Sequence, residues 1–217
     1  ASFNNANLTR ARLSGAVAQH TDFTDAVMKG IGFMPQAIPP GIGLTVFESV
    51  LAAIKDPDRF DRLVLVAPSP RYIHDTDYVS GFTRTDIEGL LDLLDSNHMA
   101  WSSMIAPTIM GNPDRPELGA ELTESFCRTD PTIARQFARV TFLSDNRDDL
   151  PKLRRPSLIL QCAQDVIAPR VVGDYLHRHL AASQLVQLQA TGHCPNLSAP
   201  EETAAAIRAF LQVPAQV

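Results

Sequence analysis

An aspartate and a histidine near the C-terminal end of the chain are the residues whose types and positions best suit catalysis. Asp165 follows the short apolar run 157–163, and His193 follows a second apolar run at 184–190. Between the two runs, apolar residues recur at helical spacing after Pro169. Strand, helix and strand in this order form a βαβ unit with parallel strands, so we expect both residues at the carboxyl rim of one sheet.

An acid followed by a histidine supplies the last two members of a Ser-Asp-His set in chain order. In such a set the histidine is the general base, and the acid orients its ring. The alternative interpretation is structural: Asp165 forms a turn, and His193 is an ordinary loop residue that follows Gly192. The two interpretations are separated by whether a nucleophile precedes the pair.

Composition excludes several classes of function. With 217 residues and 45% hydrophobic residues, the chain can form one globular domain with a sizeable core. A net charge of −5 argues against a nucleic-acid partner. Three cysteines suit a reducing compartment without a disulfide framework, and no apolar run approaches the ~18 residues of a membrane span. No signal-peptide pattern is present, so we expect a cytoplasmic protein without a cofactor and without membrane contact.

The first thirty residues repeat with a period of five, and a Pro/Gly-rich stretch follows them. Cut in fives, the chain begins ASFNN, ANLTR, ARLSG, AVAQH, TDFTD, AVMKG, with a small residue first and mostly Phe, Leu or Met third. This pattern resembles the pentapeptide-repeat family, which implies a short right-handed β-solenoid over 1–30 without catalytic residues. The alternative is a chance amphipathic segment. The stretch 31–45 predicts a linker, because Pro and Gly at such density break regular structure.

From residue 46 onward the pattern alternates between strands and helices. A helix is predicted over Phe47–Ile54 and a strand over Leu63–Val66. Thr85 and Glu88 have the spacing of a capping box for the next helix. Three further helices are predicted at His98–Met110, Pro116–Cys127 and Pro131–Leu143. Four helices are more than a crossover between two parallel strands requires, so we expect them to form a lid.

Several segments of this region carry a family resemblance: VLAAIKDPDRFDRLVLVAPSPRY, GNPDRPEL, SFCRTDPTIARQFARVTFLSDNRDDL, LILQCAQDVIAP and ATGHCPNLSAPEET. They resemble one branch of the α/β-hydrolase superfamily, which contains the bacterial hydrolase that activates the stress-response sigma-factor phosphatase and the plant strigolactone and karrikin receptors. The resemblance runs from about Val50 to Leu211.

The resemblance implies a fold and roles for particular residues. Residues 46–217 would be the C-terminal part of an α/β-hydrolase, with a helical cap at about 83–145. Its parallel strands would lie near 62–68, 157–163 and 184–190. Asp165 would be the acid of the catalytic triad and His193 its base. The cap would cover a pocket for a small apolar ligand, lined by Trp101, Ile105, Phe137 and Phe142, although ordinary packing between cap helices explains each of these four residues equally well.

The sequence departs from the family pattern at the nucleophile. Family members carry a G-x-S-x-G elbow before the helix that contains VLAAI. In ungapped register this chain reads GIGLT, which places Gly43 at the serine position. The family's first five strands also have no counterpart upstream. We therefore expect strand 62–68 to lack a partner on one side, which is a hazard for association.

Three functions remain open from the sequence. The first is an ester or lactone hydrolase that has weak or no activity alone, because base and acid are present without a serine. The second is a ligand-binding or signalling module with a regulatory protein partner in a stress response. The third is a metal site formed by Cys162, Asp165, His193 and Cys194. We expect no metal, because Cys162 is predicted to face the core.

Overall fold

A computed structural model of the protein describes residues 12–14, 32–34 and 46–212, with side chains from residue 49 onward. The described strands form one parallel sheet in the order β2-β1-β3-β4-β5. They are β1 Arg12–Ser14, β2 Gly32–Met34, β3 Leu63–Val66, β4 Ser157–Gln161 and β5 Ser183–Gln187. The helices are α1 Val46–Lys55, α2 Arg84–Ser96, α3 His98–Met110, α4 Pro116–Cys127, α5 Pro131–Leu143, α6 Arg170–His179, α7 Pro195–Ser198 and α8 Pro200–Gln212. Within the described part of the chain, none of these helices is long and apolar enough to cross a membrane.

Strands β3 and β4 form the centre of the sheet, and every residue of both is buried. They pair in parallel, with Leu63 opposite Ser157 and Val66 opposite Leu160. Nearly continuous apolar residues are typical of parallel strands that are covered on both faces. The three strands predicted near 62–68, 157–163 and 184–190 are confirmed, with somewhat shorter bounds.

Helices cover both faces of this sheet. Side chains that alternate along β3 and β4 pack against α8 on one face and against α1 and α6 on the other. The first face contains Val64, Val66, Leu158, Leu160, Ile207 and Phe210, and the second contains Leu63, Leu65, Ile159, Val50, Val172 and Leu176. Two apolar layers therefore hold the strand ends in place, and with them the loops that follow β4 and β5.

The helices α2 to α5, which we call the helical cap, connect β3 to β4 and share one apolar cluster. The predicted bounds of α3, α4 and α5 are confirmed. The capping box predicted at Thr85 and Glu88 is wrong, because α2 begins one residue before Thr85. Thr83 is the N-cap instead: its hydroxyl accepts from the N–H of Asp86 at 3.2 Å, and the Asp86 carboxylate accepts from the N–H of Thr83 at 2.8 Å. Both threonines have an acid three residues later, and only the extended backbone of Thr83 decides between them.

The prediction that strand 62–68 lacks a partner is also wrong. β1 pairs in parallel with β3, with Leu13 opposite Val64 and Ser14 opposite Leu65. β2 lies beyond β1 and falls inside the segment predicted as a linker. Strands of three residues are too short to be recognised from hydrophobic periodicity. The other residues of 1–30 and 31–45 lie outside the described part of the chain, so the pentapeptide repeat and the linker stay predictions.

The position of the capping box can be tested by stability. Thr83→Ala removes the hydroxyl that caps α2, and we expect it to lower the free energy of unfolding by about 1 kcal/mol. Thr85→Ala is the matched control, because Thr85 is exposed and lies inside the helix. Urea denaturation followed by circular dichroism measures both variants. A larger loss for Thr85→Ala than for Thr83→Ala would contradict the assignment.

Candidate active site

A hydrogen bond between His193 and Asp165 joins the loops that follow β5 and β4. His193 Nδ1 lies 2.7 Å from Asp165 Oδ2. The aspartate retains only 8% and the histidine 6% of its exposure to solvent. The structure thus brings together the two residues that the βαβ pattern predicts at one rim. Because Asp165 engages Nδ1, it leaves Nε2 as the ring nitrogen that can exchange a proton with a reacting group.

Both oxygens of the Asp165 carboxylate are held in place. Oδ1 accepts hydrogen bonds from the backbone N–H groups of Ile167, at 2.8 Å, and Ala168, at 3.1 Å. Asp165 is therefore a turn former through one oxygen and the partner of His193 through the other. Two backbone donors fix the plane of the carboxylate, so it can select the tautomer and orientation of the imidazole ring.

The loop that carries His193 is held between the sheet rim and the end of α3. The N–H of Gly192 donates to the carbonyl of Gln164 at 2.7 Å, and the N–H of His193 donates to the carbonyl of Ile109 at 2.8 Å. Gly192 has φ +80°, and a Cβ built there would lie 1.8 Å from the carbonyl oxygen of Met110. Only glycine fits this position, because an L side chain would be strained and would also clash.

Two buried cysteines, Cys162 and Cys194, lie close enough to Asp165 to feel its charge. Burial raises the pKa of the Cys194 thiol to about 12, and the nearby Asp165 carboxylate adds to that effect. Burial raises the pKa of Cys162 as well, again with a contribution from Asp165. Both sulfurs are therefore protonated at neutral pH, whereas a cysteine nucleophile needs the thiolate. Across the described residues, no group of three or more His, Cys, Asp or Glu side chains is arranged to hold a metal ion, so the structure gives the metal hypothesis no support.

Three of the four predicted pocket residues pack together inside the cap. Trp101, Ile105 and Phe142 are buried in one apolar cluster. Phe137 lies on the same helix as Phe142, but it is partly exposed and does not belong to that cluster as the described residues define it. Trp101 stacks on Phe126, with ring centroids 5.7 Å apart.

Sequence reasoning missed two further aromatic residues, Tyr72 and Phe82, that pack against this cluster. Phe142 makes edge contacts with Tyr72, at 5.5 Å between ring centroids, and with Phe82, at 6.2 Å. Burial raises the pKa of Tyr72, and the charge of Asp165 raises it further, so the phenol stays neutral. Tyr72 could have been found from its position, because it is an aromatic residue that follows strand β3 by six positions.

Gly43, which occupies the predicted serine position, lies outside the described residues, so its prediction stays untested. The helix that follows it is described as α1 and begins at Val46. The described part of the site therefore consists of a buried carboxylate and imidazole, two neutral thiols and an aromatic cluster. Such a set can accept, hold and return a proton at Nε2 of His193.

Comparisons with known proteins find similar sequences. The model of a family described as "Alpha/beta hydrolase family" matches residues 13–206. A probable esterase of Oryza sativa subsp. japonica is 36% identical over 162 residues, covering 74% of this chain and 60% of the relative. The karrikin insensitive 2 receptor CA of Petunia hybrida is 36% identical over 162 residues, again 74% of this chain and 60% of the relative. This chain therefore spans about three fifths of the length of these relatives.

A solved structure has a similar fold. A hydrolase from Oleispira antarctica superimposes with a TM-score of 0.74 at 36% sequence identity, covering 77% of this chain and 62% of that chain. The sequence comparisons and the structural comparison thus both find hydrolases or esterases.

The need for glycine at position 192 gives a stability prediction. We expect Gly192→Ala to lower the free energy of unfolding by at least about 2 kcal/mol, because it adds both a clash and backbone strain. Gly89→Ala is the control: a Cβ at this helical position meets nothing within 4 Å, so we expect a gain of about 0.5–1 kcal/mol. Chemical denaturation of the two variants measures the contrast. Equal stability of both would show that the loop does not need glycine.

The thiol pKa values predict selective labelling. At pH 8 almost no Cys194 side chain carries the reactive thiolate, because burial raises its pKa to about 12. Cys127 is partly exposed, so we expect Ellman's reagent to react with one thiol quickly in the folded protein and with all three after denaturation. Cys127→Ser serves as the control and removes the fast phase. A fast phase that remains in this variant would mean that a buried thiol is activated.

Proposed function

Because this chain belongs to the alpha/beta hydrolase family, we propose that it binds a small apolar ester or lactone between its helical cap and its sheet. His193 acts as the base and Asp165 as the acid of a triad that lacks its serine. The chain alone therefore hydrolyses its ligand slowly or not at all. The observation that carries the proposal is the buried hydrogen bond of 2.7 Å between these two side chains.

The roles of the pair follow from its geometry. His193 Nε2 takes a proton from a nucleophile, and the Asp165 carboxylate stabilises the imidazolium that forms. Its second oxygen is held by two backbone N–H groups, so the acid cannot rotate away while the ring is charged. Burial strengthens this interaction, because the charges are poorly screened by water.

The missing nucleophile sets the expected rate. In a complete triad, removal of the serine alone lowers kcat on the order of 10⁶-fold. Gly43 offers no hydroxyl, and the thiols of Cys162 and Cys194 are protonated. Water activated by His193 is then the remaining nucleophile, and it attacks without the covalent intermediate that divides the reaction into two easier steps.

The aromatic cluster of the cap supports an apolar ligand. Trp101, Ile105 and Phe142 supply apolar surface. The Tyr72 ring packs against Phe142, and its phenol stays neutral because burial and the charge of Asp165 raise its pKa. The indole N–H of Trp101 is buried and has no hydrogen-bond partner among the described residues. An ester or lactone oxygen is the kind of acceptor that would satisfy this donor.

A second candidate function is ligand binding without hydrolysis, in a module that signals to a regulatory protein. It is favoured by the glycine at position 43 together with a relative that is named as a receptor. The two functions differ in the fate of the ligand. A signalling module releases the lactone intact, whereas even a slow hydrolase returns the hydroxy acid.

Binding can be measured through the protein's own fluorescence. Trp101 is the single tryptophan of the chain, so its emission reports on the cap alone. We expect δ-decalactone to change this emission in a saturable way. Phe142→Ala should weaken binding roughly tenfold, because it removes apolar contact inside the cluster. Phe137→Ala on the same helix is the matched control and should bind as the wild type does. Equal losses in both variants would contradict the proposed pocket.

Catalysis is tested with p-nitrophenyl butyrate and a fluorophosphonate probe. We expect slow turnover that His193→Ala abolishes, and no covalent labelling of the wild-type chain by the probe. Rapid turnover that survives His193→Ala would overturn the assigned base. Labelling of the wild type would show that another residue replaces the serine.

A further inference from the structure

The turn that ends α3 is fastened to the loop that carries His193, and we propose that Asn112 is the positioning residue that fixes this histidine to the helical cap. The inference rests on the proposed role of His193 as a base. It goes further by naming the side chain through which the cap controls where that base stands.

The last carbonyls of α3 are satisfied from outside the helix. An α-helix leaves its final four carbonyl groups without partners in the helix. Here the Ile109 carbonyl accepts from the N–H of His193 at 2.8 Å, and the Met110 carbonyl accepts from Asn112 Nδ2 at 2.6 Å. The end of the cap helix is therefore capped jointly by the histidine loop and by Asn112.

The same asparagine reaches the histidine loop itself. Its Nδ2 also donates to the carbonyl of Thr191 at 2.9 Å, and its Oδ1 accepts from the Thr191 hydroxyl at 3.3 Å. One side-chain amide thus joins Met110 in the cap to Thr191, two residues before His193. This link is separate from the backbone hydrogen bond that His193 itself donates to the cap.

The turn at Gly111, which ends α3, and the turn at Gly192, which precedes His193, are in close backbone contact. Gly111 has φ +57°, and a Cβ built there would lie 3.0 Å from the Cα of Gly192. On the other side of the contact, a Cβ at Gly192 would meet Met110 and Asn112. Two glycines facing each other allow backbone to pack against backbone, and such contacts are not easily deformed.

Arg115 decides which way the Asn112 amide points. Its Nη2 donates to Asn112 Oδ1 at 2.7 Å, while its Nη1 donates to the carbonyl of Ser198 at 2.8 Å. Since guanidinium nitrogen can only donate, it must face the oxygen of the amide. The amide nitrogen is then directed at the Met110 and Thr191 carbonyls. Arg115 is the outer member of the network, and Asn112 is the inner one.

The consequence concerns the imidazole ring. The Asp165 carboxylate, which follows β4, binds Nδ1 of the His193 ring. Asn112, at the end of the cap helix α3, binds the backbone of the loop that carries His193. Without the Asn112 hydrogen bonds this loop, and with it the ring, would be less firmly positioned. Displacement of a catalytic group by about 1 Å can lower a rate on the order of 100-fold.

The test uses the proton between His193 and Asp165 and needs no turnover. In full-length protein labelled with ¹⁵N-histidine, a buried Nδ1–H hydrogen-bonded to a carboxylate gives a downfield proton resonance that exchanges slowly with water. His193→Ala identifies this resonance by removing it. We expect Asn112→Ala to speed its exchange on the order of tenfold or more, which corresponds to the loss of one or two modest hydrogen bonds.

Asn97→Ala is the matched control at the opposite end of α3. It removes an N-cap hydrogen bond, Asn97 Oδ1 accepting from the N–H of Ala100 at 3.0 Å, without touching the histidine loop. It should lower stability while leaving the exchange rate of the His193 proton within about twofold of wild type, because a local opening at the other end of the helix is independent of the loop. Arg115→Met removes only the outer hydrogen bonds and should give a smaller acceleration than Asn112→Ala. It also tests the network if Asn112→Ala does not fold.

The outcomes separate this inference from the proposed function. A slow-exchanging resonance that Asn112→Ala and Arg115→Met leave unchanged overturns the positioning role, while the base and acid pair stands. Equal acceleration by Asn97→Ala overturns it as well, because the effect would then be general destabilisation. Absence of the resonance from the wild type overturns both the pair and the inference.

Discussion

Parallel pairing of β4 with β3 on one side and with β5 on the other is the constraint from which the site follows. Residues of β4 are buried on both faces, so the strand cannot slip in register without moving apolar side chains out of both layers. Once β4 and β5 are in register, their following loops begin at one rim. Asp165 and His193 then meet across 2.7 Å, although 28 positions separate them in the chain.

Burial affects the pair and its neighbours in opposite ways. Within the pair, burial strengthens the hydrogen bond between imidazole and carboxylate, because water does not screen the charges. It also keeps the nearby thiols of Cys162 and Cys194 and the phenol of Tyr72 neutral, since their charged forms would lie beside a carboxylate away from water. Burial beside a carboxylate therefore keeps both cysteines in the protonated form, which is a poor nucleophile.

The cap and the sheet are connected by more than the chain that runs between them. The end of α3 receives hydrogen bonds from the N–H of His193 and from Asn112, which is the reason that Gly111 and Gly192 face each other. The cap and the loop that carries His193 are therefore joined by the backbone hydrogen bond of His193 and by the side chain of Asn112.

Local pattern in the sequence determined strands β3 to β5 and helices α1 to α6, including the bounds of α3 to α5. It also placed Asp165 and His193 on one rim, because short-range periodicity and βαβ handedness decide these features. It could not choose between Thr83 and Thr85 as the cap of α2, since both have an acid three residues later. It also predicted an open edge at β3 where β1 pairs, because three-residue strands carry no periodic signal. Only the tertiary structure decided which side chains meet across distant segments. The links from Asn112 to Thr191 and from Tyr72 to Phe142 depend on how cap and sheet pack together, and no local spacing encodes that packing.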